Sequence, residues 1–353
     1  MKKKDKVEKI CLNCFNDEFI KKKIKENGKK GDCSFCDSKN IEVIPVDDVE
    51  IKVFFESLID IYIEEDEKGD QTSAELIKNI LKIKWNIFND NIAPEKIEKF
   101  LRKLLPTKVN FLKKRLVLKL GNEKDKICKE KNTWIDFVEE IKEKNRFHTR
   151  ILELENLKYF LTSLEEEIKN NKLLYRGRIS LNKKKFLSKE MGAPPTPKNG
   201  RVNPEGIRCL YVAEEVETTI HEIRAIKHDY VCIGTFKLKK NHKVKIIDLT
   251  KINKISPFLD LENIMKYAIN YDFLKDIAEE ISKPHKRGST DLDYLPIQYI
   301  GEYVKYLGYD GIKYNSTLNP GGINYVFFDD SLWNCTKVDL YEINEVSYRH
   351  IKL

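Results

Sequence analysis

The chain has 353 residues, of which 41% are hydrophobic, 10% aromatic and 35% charged. That length exceeds one ordinary domain, and that apolar content excludes wholesale disorder. Its 65 basic and 57 acidic residues leave a formal charge of +8, but the signs are interleaved, so a nucleic-acid partner is permitted rather than demanded.

Residues 1–45 are rich in Lys, Gly, Asn and Cys and poor in aliphatic side chains. Four of the eight cysteines fall here, as Cys11-Leu-Asn-Cys14 and Cys33-Ser-Phe-Cys36. A two-residue spacer lets both thiolates of a tight turn reach one metal, and two such turns close a tetrahedral four-sulfur shell. The spacing predicts a zinc ribbon with Cys11, Cys14, Cys33 and Cys36 as ligands of a structural zinc. Four sulfurs leave no position open for catalysis, and metal binding supplies folding energy that so little apolar material does not. Two unrelated pairs of free thiols are the plainer alternative, though chance seldom sets two such pairs this close. Cys128, Cys209, Cys232 and Cys335 sit singly among apolar neighbours, a distribution that fits a reducing compartment rather than a disulfide scaffold.

Residues 46–169 read as an all-α domain. An apolar helix is predicted over 51–65, and Thr72 with Glu75 has capping-box spacing ahead of a helix over 76–88. Pro94 suits the first turn of the next helix, and Pro106 ends it. Asn132 or Thr133 starts another, and residues 152–168 carry apolar side chains at helical spacing. No apolar run approaches the roughly 20 residues of a membrane span. No apolar core follows the basic start Met-Lys-Lys-Lys-Asp-Lys, so a cytoplasmic protein with no membrane partner is expected.

Beyond Lys172 the texture changes. Short strands are predicted at 173–175, 209–212, 230–238, 244–249, 311–314 and 324–328, with helices at 214–226, 261–282 and 296–307. Few crossover units separate them, which points to an α+β domain with a mainly antiparallel sheet. The prolines at 194, 195 and 197 confine that stretch to a loop.

Three segments of this half carry polar residues worth reading together. The first is Leu174-Tyr175-Arg176-Gly177-Arg178. The second is Gly200-Arg201-Val202-Asn203-Pro204-Glu205-Gly206, followed by Leu210-Tyr211-Val212-Ala213 and a helix with Glu222. The third is Gly308-Tyr309-Asp310-Gly311-Ile312-Lys313-Tyr314-Asn315-Ser316, followed by Asn324-Tyr325-Val326-Phe327-Phe328. In order and local context these resemble the RES family, named for an arginine, a glutamate and a serine.

On that resemblance Arg176, Glu222 and Ser316 are the eponymous residues and Tyr211 is the pocket tyrosine. The resemblance covers about half the chain. It implies an ADP-ribosyltransferase-like fold for 170–353, with an insertion at about 251–295 whose end, 284–290, suits a lid or a partner surface. It also implies a toxin of a toxin–antitoxin pair that degrades NAD, held in check by an antitoxin or other inhibitory partner and of use in phage defence. Larger members place a helical domain grouped with HEPN-like domains before the RES core, which makes 46–169 an accessory domain of that type. It lacks the Arg-x4-6-His signature of HEPN ribonucleases, since His148 stands two residues after Arg146, and no RNase activity is expected there.

These residue types suit NAD cleavage. Nicotinamide leaves neutral, so no general acid is needed, and an oxocarbenium-like ribose must be stabilised. A carboxylate, ionised at its ordinary pKa, serves that charge, which is the role expected of Glu222. A planar guanidinium forks pyrophosphate oxygens, as expected of Arg176, with Arg201, Arg178 and Asn203 completing the substrate-binding set. Tyr211 would stack on nicotinamide or bond ribose, and Ser316 would orient ribose or phosphate. Singly, an arginine near a strand end is usually a surface ion-pair partner and a helical glutamate is usually solvated; only the motif context reverses that. The same site would serve ADP-ribosyl transfer to a macromolecule. From another class, a non-catalytic regulator would use the zinc ribbon to read nucleic acid. The sequence is compatible with a homo-oligomer.

Overall fold

A computed structural model describes residues 7–65, 74–129, 133–283 and 290–347. The basic start, Thr72 of the capping box, Asn132 and residues 284–289 of the insertion lie outside the described residues. The chain divides into two compact units, Met1–Lys126 with Asn253–Tyr271, and Ile127–Ile252 with Asp272–Leu353.

The first unit opens with β1 (Lys9–Cys11), α1 (Glu18–Asn27), β2 (Lys29–Gly31) and β3 (Ile41–Pro45). The strands form an antiparallel sheet in the order β1-β3-β2. Asp17 caps α1 by accepting from the Ile20 backbone N–H at 2.9 Å. There follow α2 (Val49–Ile59), β4 (Tyr62–Glu64), β5 (Glu75–Leu76), α3 (Ile77–Asn79), α4 (Pro94–Leu104) and β6 (Arg115–Leu118). Pro94 occupies the first turn of α4, whose apolar face buries Ile97, Phe100, Leu101 and Leu104.

The cysteine-bearing segment is not a free-standing module. Phe15 packs on Phe88 with ring centroids 5.1 Å apart, and Phe35 meets Phe100 at 6.0 Å. Asn89 donates its backbone N–H to the Cys14 carbonyl at 2.9 Å. The apolar material that residues 1–45 lack is thus supplied by the segments of α2 and α4.

The all-α expectation for 46–169 is also corrected. β4, β6 and β5 form a three-stranded antiparallel sheet. These strands have two to four residues each, too short to show alternation, and Leu116, Val117 and Leu118 are all buried. The helix read over 76–88 is α3 followed by a single π turn over Ile80–Lys84. Within the span read as 46–169, residues from Ile127 onward belong to the second unit.

The second unit holds α5 (Trp134–Glu139), α6 (Leu154–Ser163), β7 (Glu165–Glu167), β8 (Leu173–Ile179), β9 (Leu210–Ala213) and α7 (Val216–Glu222). Next come β10 (Tyr230–Leu238), β11 (Lys245–Asp248), α8 (Ile264–Ser282), which belongs to this unit from Asp272 onward, and α9 (Leu295–Tyr306). It closes with β12 (Gly311–Asn315), β13 (Ile323–Phe327) and β14 (Trp333–Glu342). Eight strands form one sheet in the order β14-β10-β8-β9-β13-β12-β11-β7. Only β11 and β12 run parallel, so the sheet is mainly antiparallel as expected.

Alternation along the strands feeds two apolar clusters. Leu174, Cys232 and Phe327 enter one, while Tyr175, Val231 and Ile233 pack in another with Ile220 and Ile223. The six anticipated strands all form. β7 and β14 were not anticipated, and β7 draws residues 165–167 of the supposed helical span into this sheet. The helix read over 214–226 is the seven-residue α7, ended by Arg224 at a φ of 53°. No helix among the described residues is long and apolar enough to cross a membrane.

Candidate functional site

A cleft of about 280 Å3 in the second unit is lined by Arg176, Arg201, Tyr211, Glu222, Tyr314 and Asn324, with Tyr175 and Tyr294 at its margins. It gathers residues from β8, β9, α7, β12 and β13. The glycine between Arg176 and Arg178 lets α7 approach β8: a Cβ on Gly177 would lie 2.7 Å from Thr219 Cγ2. Thr219 in turn donates its hydroxyl to the Tyr175 carbonyl at 3.2 Å. That contact seats the helix whose last residue is Glu222.

The Glu222 carboxylate is held from β12 and β13. Ser316 Oγ donates to its Oε1 at 2.7 Å, and Asn324 Nδ2 donates to the same oxygen at 2.7 Å. Bonds to an ionised acceptor are the strong ones. Oε2 makes no hydrogen bond among the described residues. Ser316 is buried, bonds the Gly322 carbonyl through its own N–H at 2.8 Å and accepts from the Asn319 N–H at 3.1 Å. Its hydroxyl is therefore engaged with Glu222 and the 316–322 loop.

Arg176 stands opposite Gly234 of β10. Its Nη1 is buried with no hydrogen-bond partner among the described residues. Burial, with the neighbouring Arg178 acting in the same direction, pushes its guanidinium down to about 10, which leaves it cationic at neutral pH. A desolvated cation without an acceptor is costly, and an anionic ligand would relieve that cost. Arg178 is used elsewhere: Nη1 donates to the Glu190 carbonyl, and the guanidinium lies 5.8 Å from the Phe186 ring centroid. It does not line the cleft.

The Gly200–Asn203 turn carries Arg201 into the cleft. Gln298 of α9 braces it, with Nε2 donating to the carbonyls of Gly200 at 2.7 Å and Asn203 at 3.0 Å. Gly200 is required there, since a Cβ would lie 2.3 Å from Asn203 Oδ1. Tyr211 Oη donates to that same Oδ1 at 2.8 Å and accepts from the Val202 N–H at 3.1 Å. Burial drives the Tyr211 phenol far above its ordinary range, so it stays a donor. Asn203 is spent on this turn, its Nδ2 reaching the carbonyls of Lys198, Pro204 and Ile207. Arg201 donates to the Ile281 carbonyl at 2.6 Å and lies 5.6 Å from the Tyr314 ring centroid. Burial pushes the Tyr314 phenol up to about 12.

Arg176, Arg201, Tyr211, Glu222 and Ser316 are thus brought together, while Arg178 and Asn203 serve neighbouring structure. His221 is exposed and pairs with Glu217 at 3.3 Å. Asn324, Tyr314 and Tyr294 were missed as site residues. Asn324 had a signal: an amide opening an otherwise apolar strand is out of place unless it has work there.

In the first unit the sulfurs of Cys11, Cys14, Cys33 and Cys36 all lie within 4.8 Å of one another. Cys11 to Cys14 is 3.8 Å, Cys11 to Cys36 3.3 Å and Cys14 to Cys33 3.5 Å. A tetrahedron with zinc–sulfur bonds of about 2.3 Å has sulfur–sulfur edges of about 3.8 Å, so the donor set fits zinc closely. Around the cysteines, Lys21, Lys22, Lys23 and Lys30 pair with Glu18, Glu26, Glu50 and Glu42, which reduces the basic character of this segment.

Comparison with known proteins identifies the region that contains the cleft. Residues 176–347 match the family model described as RES domain. A chain in the crystal structure of the M. tuberculosis MbcT–MbcA toxin–antitoxin complex is similar at 11% identity and a TM-score of 0.31, over 53% of this chain and 92% of that one. No curated protein matches the chain.

Proposed function

Starting from the RES domain at residues 176–347, we propose that the cleft cleaves NAD between ribose and nicotinamide. The observation that carries this reading is a braced carboxylate and a partnerless buried guanidinium facing one cleft, Glu222 on Ser316 and Asn324, and Arg176 with its bare Nη1. Arg176 takes the pyrophosphate, supplemented by Arg201. Glu222 lies at the ribose and stabilises the positive charge that develops as the glycosidic bond breaks. Tyr211 and Tyr314 offer ring faces to the nicotinamide. The cleft lining contains no histidine, lysine or second carboxylate among the described residues, and a neutral leaving group requires none. The family resemblance supports an ADP-ribosyltransferase-like core and a toxin restrained by an inhibitory partner. The four cysteines hold a structural zinc in the same reading.

The test is nicotinamide release from NAD by the purified chain, with and without inorganic phosphate. Release in both conditions marks a hydrolase, and release that requires phosphate marks a phosphorylase. NAD that stays intact at micromolar enzyme overturns the reading.

Two substitutions separate the arginines. Arg176→Ala is expected to lower kcat/KM by about 10–100-fold, the loss of one charge-assisted anion contact. Arg178→Ala is expected to change it by no more than about twofold, as for a side chain that packs beside the cleft. Steady-state kinetics on both variants checks this, and equal losses would refute the assignment.

A further inference from the structure

We propose that Asn324 is a positioning residue for Glu222, fixing one carboxylate oxygen so that the other is offered to the substrate. The proposal rests on the reading of the cleft as an NAD-cleaving site.

Asn324 is the second residue of β13, in register with Ala213 of β9 on one side and Tyr314 of β12 on the other. It is 3% exposed. Its strand neighbour Tyr325 enters the apolar cluster, so Asn324 faces the opposite side, where the cleft lies. A buried amide must find partners, and the side-chain bond it makes is the donation to Glu222 Oε1. Ser316 Oγ donates to that same oxygen. Two donors on one oxygen fix the carboxylate's rotation. Serine alone could turn its hydroxyl away, whereas an amide locked in a strand cannot.

The other ionisable groups that line the cleft around Glu222 are Arg176 and Tyr175 of β8, Arg201 of the 200–203 turn, Tyr211 of β9, Tyr294 before α9 and Tyr314 of β12. Guanidiniums and phenols titrate well above neutrality as classes. Glu222 is the one carboxyl among the described residues that line the cleft.

Asn324→Asp puts a second carboxylate against the first at nearly constant shape. Two carboxylates sharing a site do not both ionise readily, so the pair's upper apparent pKa rises by roughly one unit or more. The acidic limb of kcat should move to higher pH by that amount. Asn324→Ala should lower kcat about tenfold with KM changed less than about twofold, its limb moving the same way by less. A purely structural role would lower activity equally at all pH and leave the limb in place. The Glu222 carboxyl titration, followed by 13C NMR in wild type and both variants, needs no turnover. If wild type leaves NAD intact, the NAD reading fails while this titration still decides the role of Asn324. An upward shift in folded Asn324→Ala supports the proposal, and an unmoved titration there overturns it, with Asn324→Asp marking the shift that a charge at this position produces.

Discussion

Glu222→Ala and Glu222→Gln should each release nicotinamide from NAD about 10²–10³-fold more slowly than the wild-type chain, as for the removal of one preorganised group that meets transition-state charge. The Gln variant is the sharper of the two. Its side-chain oxygen still accepts from Ser316 and Asn324, so the 2.7 Å contacts seen with Glu222 are retained and only the charge is lost. The effect should fall on kcat and kcat/KM alike, because the positive ribose exists only in the transition state. Initial rates with thermal melts on the same preparations check this. A Gln variant within about threefold of wild type, against the loss expected for a group of this kind, would remove Glu222 from the chemistry.

Metal removal should unfold the first unit. The purified chain is expected to hold one zinc, and Cys14→Ser should abolish that stoichiometry and the unit's cooperative melt. Structural zinc contributes about 10–16 kcal/mol in isolated zinc-finger peptides, while whole domains are stable by only about 5–15 kcal/mol. Here the four-cysteine cluster is continuous with the core. Cys14 accepts from Asn89 through its carbonyl, and the next residue, Phe15, packs on Phe88 and Phe100. Elemental analysis and circular dichroism with and without a chelator measure both quantities. An unchanged melt in metal-free protein would show that the aromatic cluster stands without the metal. Cys335→Ser is the control, since Cys335 lies outside the four-sulfur set.

The strands of the large sheet were readable where β-branched and aromatic residues cluster, and β10 has the bounds expected for it. β7 was not readable, because Glu-Glu-Glu has no strand character. It pairs only because β11 presents an edge and Lys245 meets Glu165 at 2.8 Å, and such tertiary context overrides propensity. The short strands around β6 hid for the opposite reason, since an apolar run as short as Leu116-Val117-Leu118 does not distinguish strand from helix. At the site, chemistry-bearing residues with a motif around them were legible, as with Arg176, Glu222 and the cysteine pairs. Arg178 and Asn203 were placed with Arg201 in the substrate-binding set. Their actual partners, Glu190, Phe186 and the 198–207 loop carbonyls, are set by long-range packing that no spacing encodes. Asn324 was visible as an anomaly rather than as a role.

The donors that brace Glu222 come 94 and 102 residues later in the chain. During synthesis at about 5–20 residues per second, roughly 5–20 s pass between the glutamate and its supports. A nascent or prematurely terminated chain ending before Ser316 holds the arginine and the glutamate without the braced carboxylate. If the cleft cleaves NAD as proposed, harm to the cell's own cofactor pool would be deferred until translation of the domain is nearly finished, giving any restraining partner a window in which to bind first.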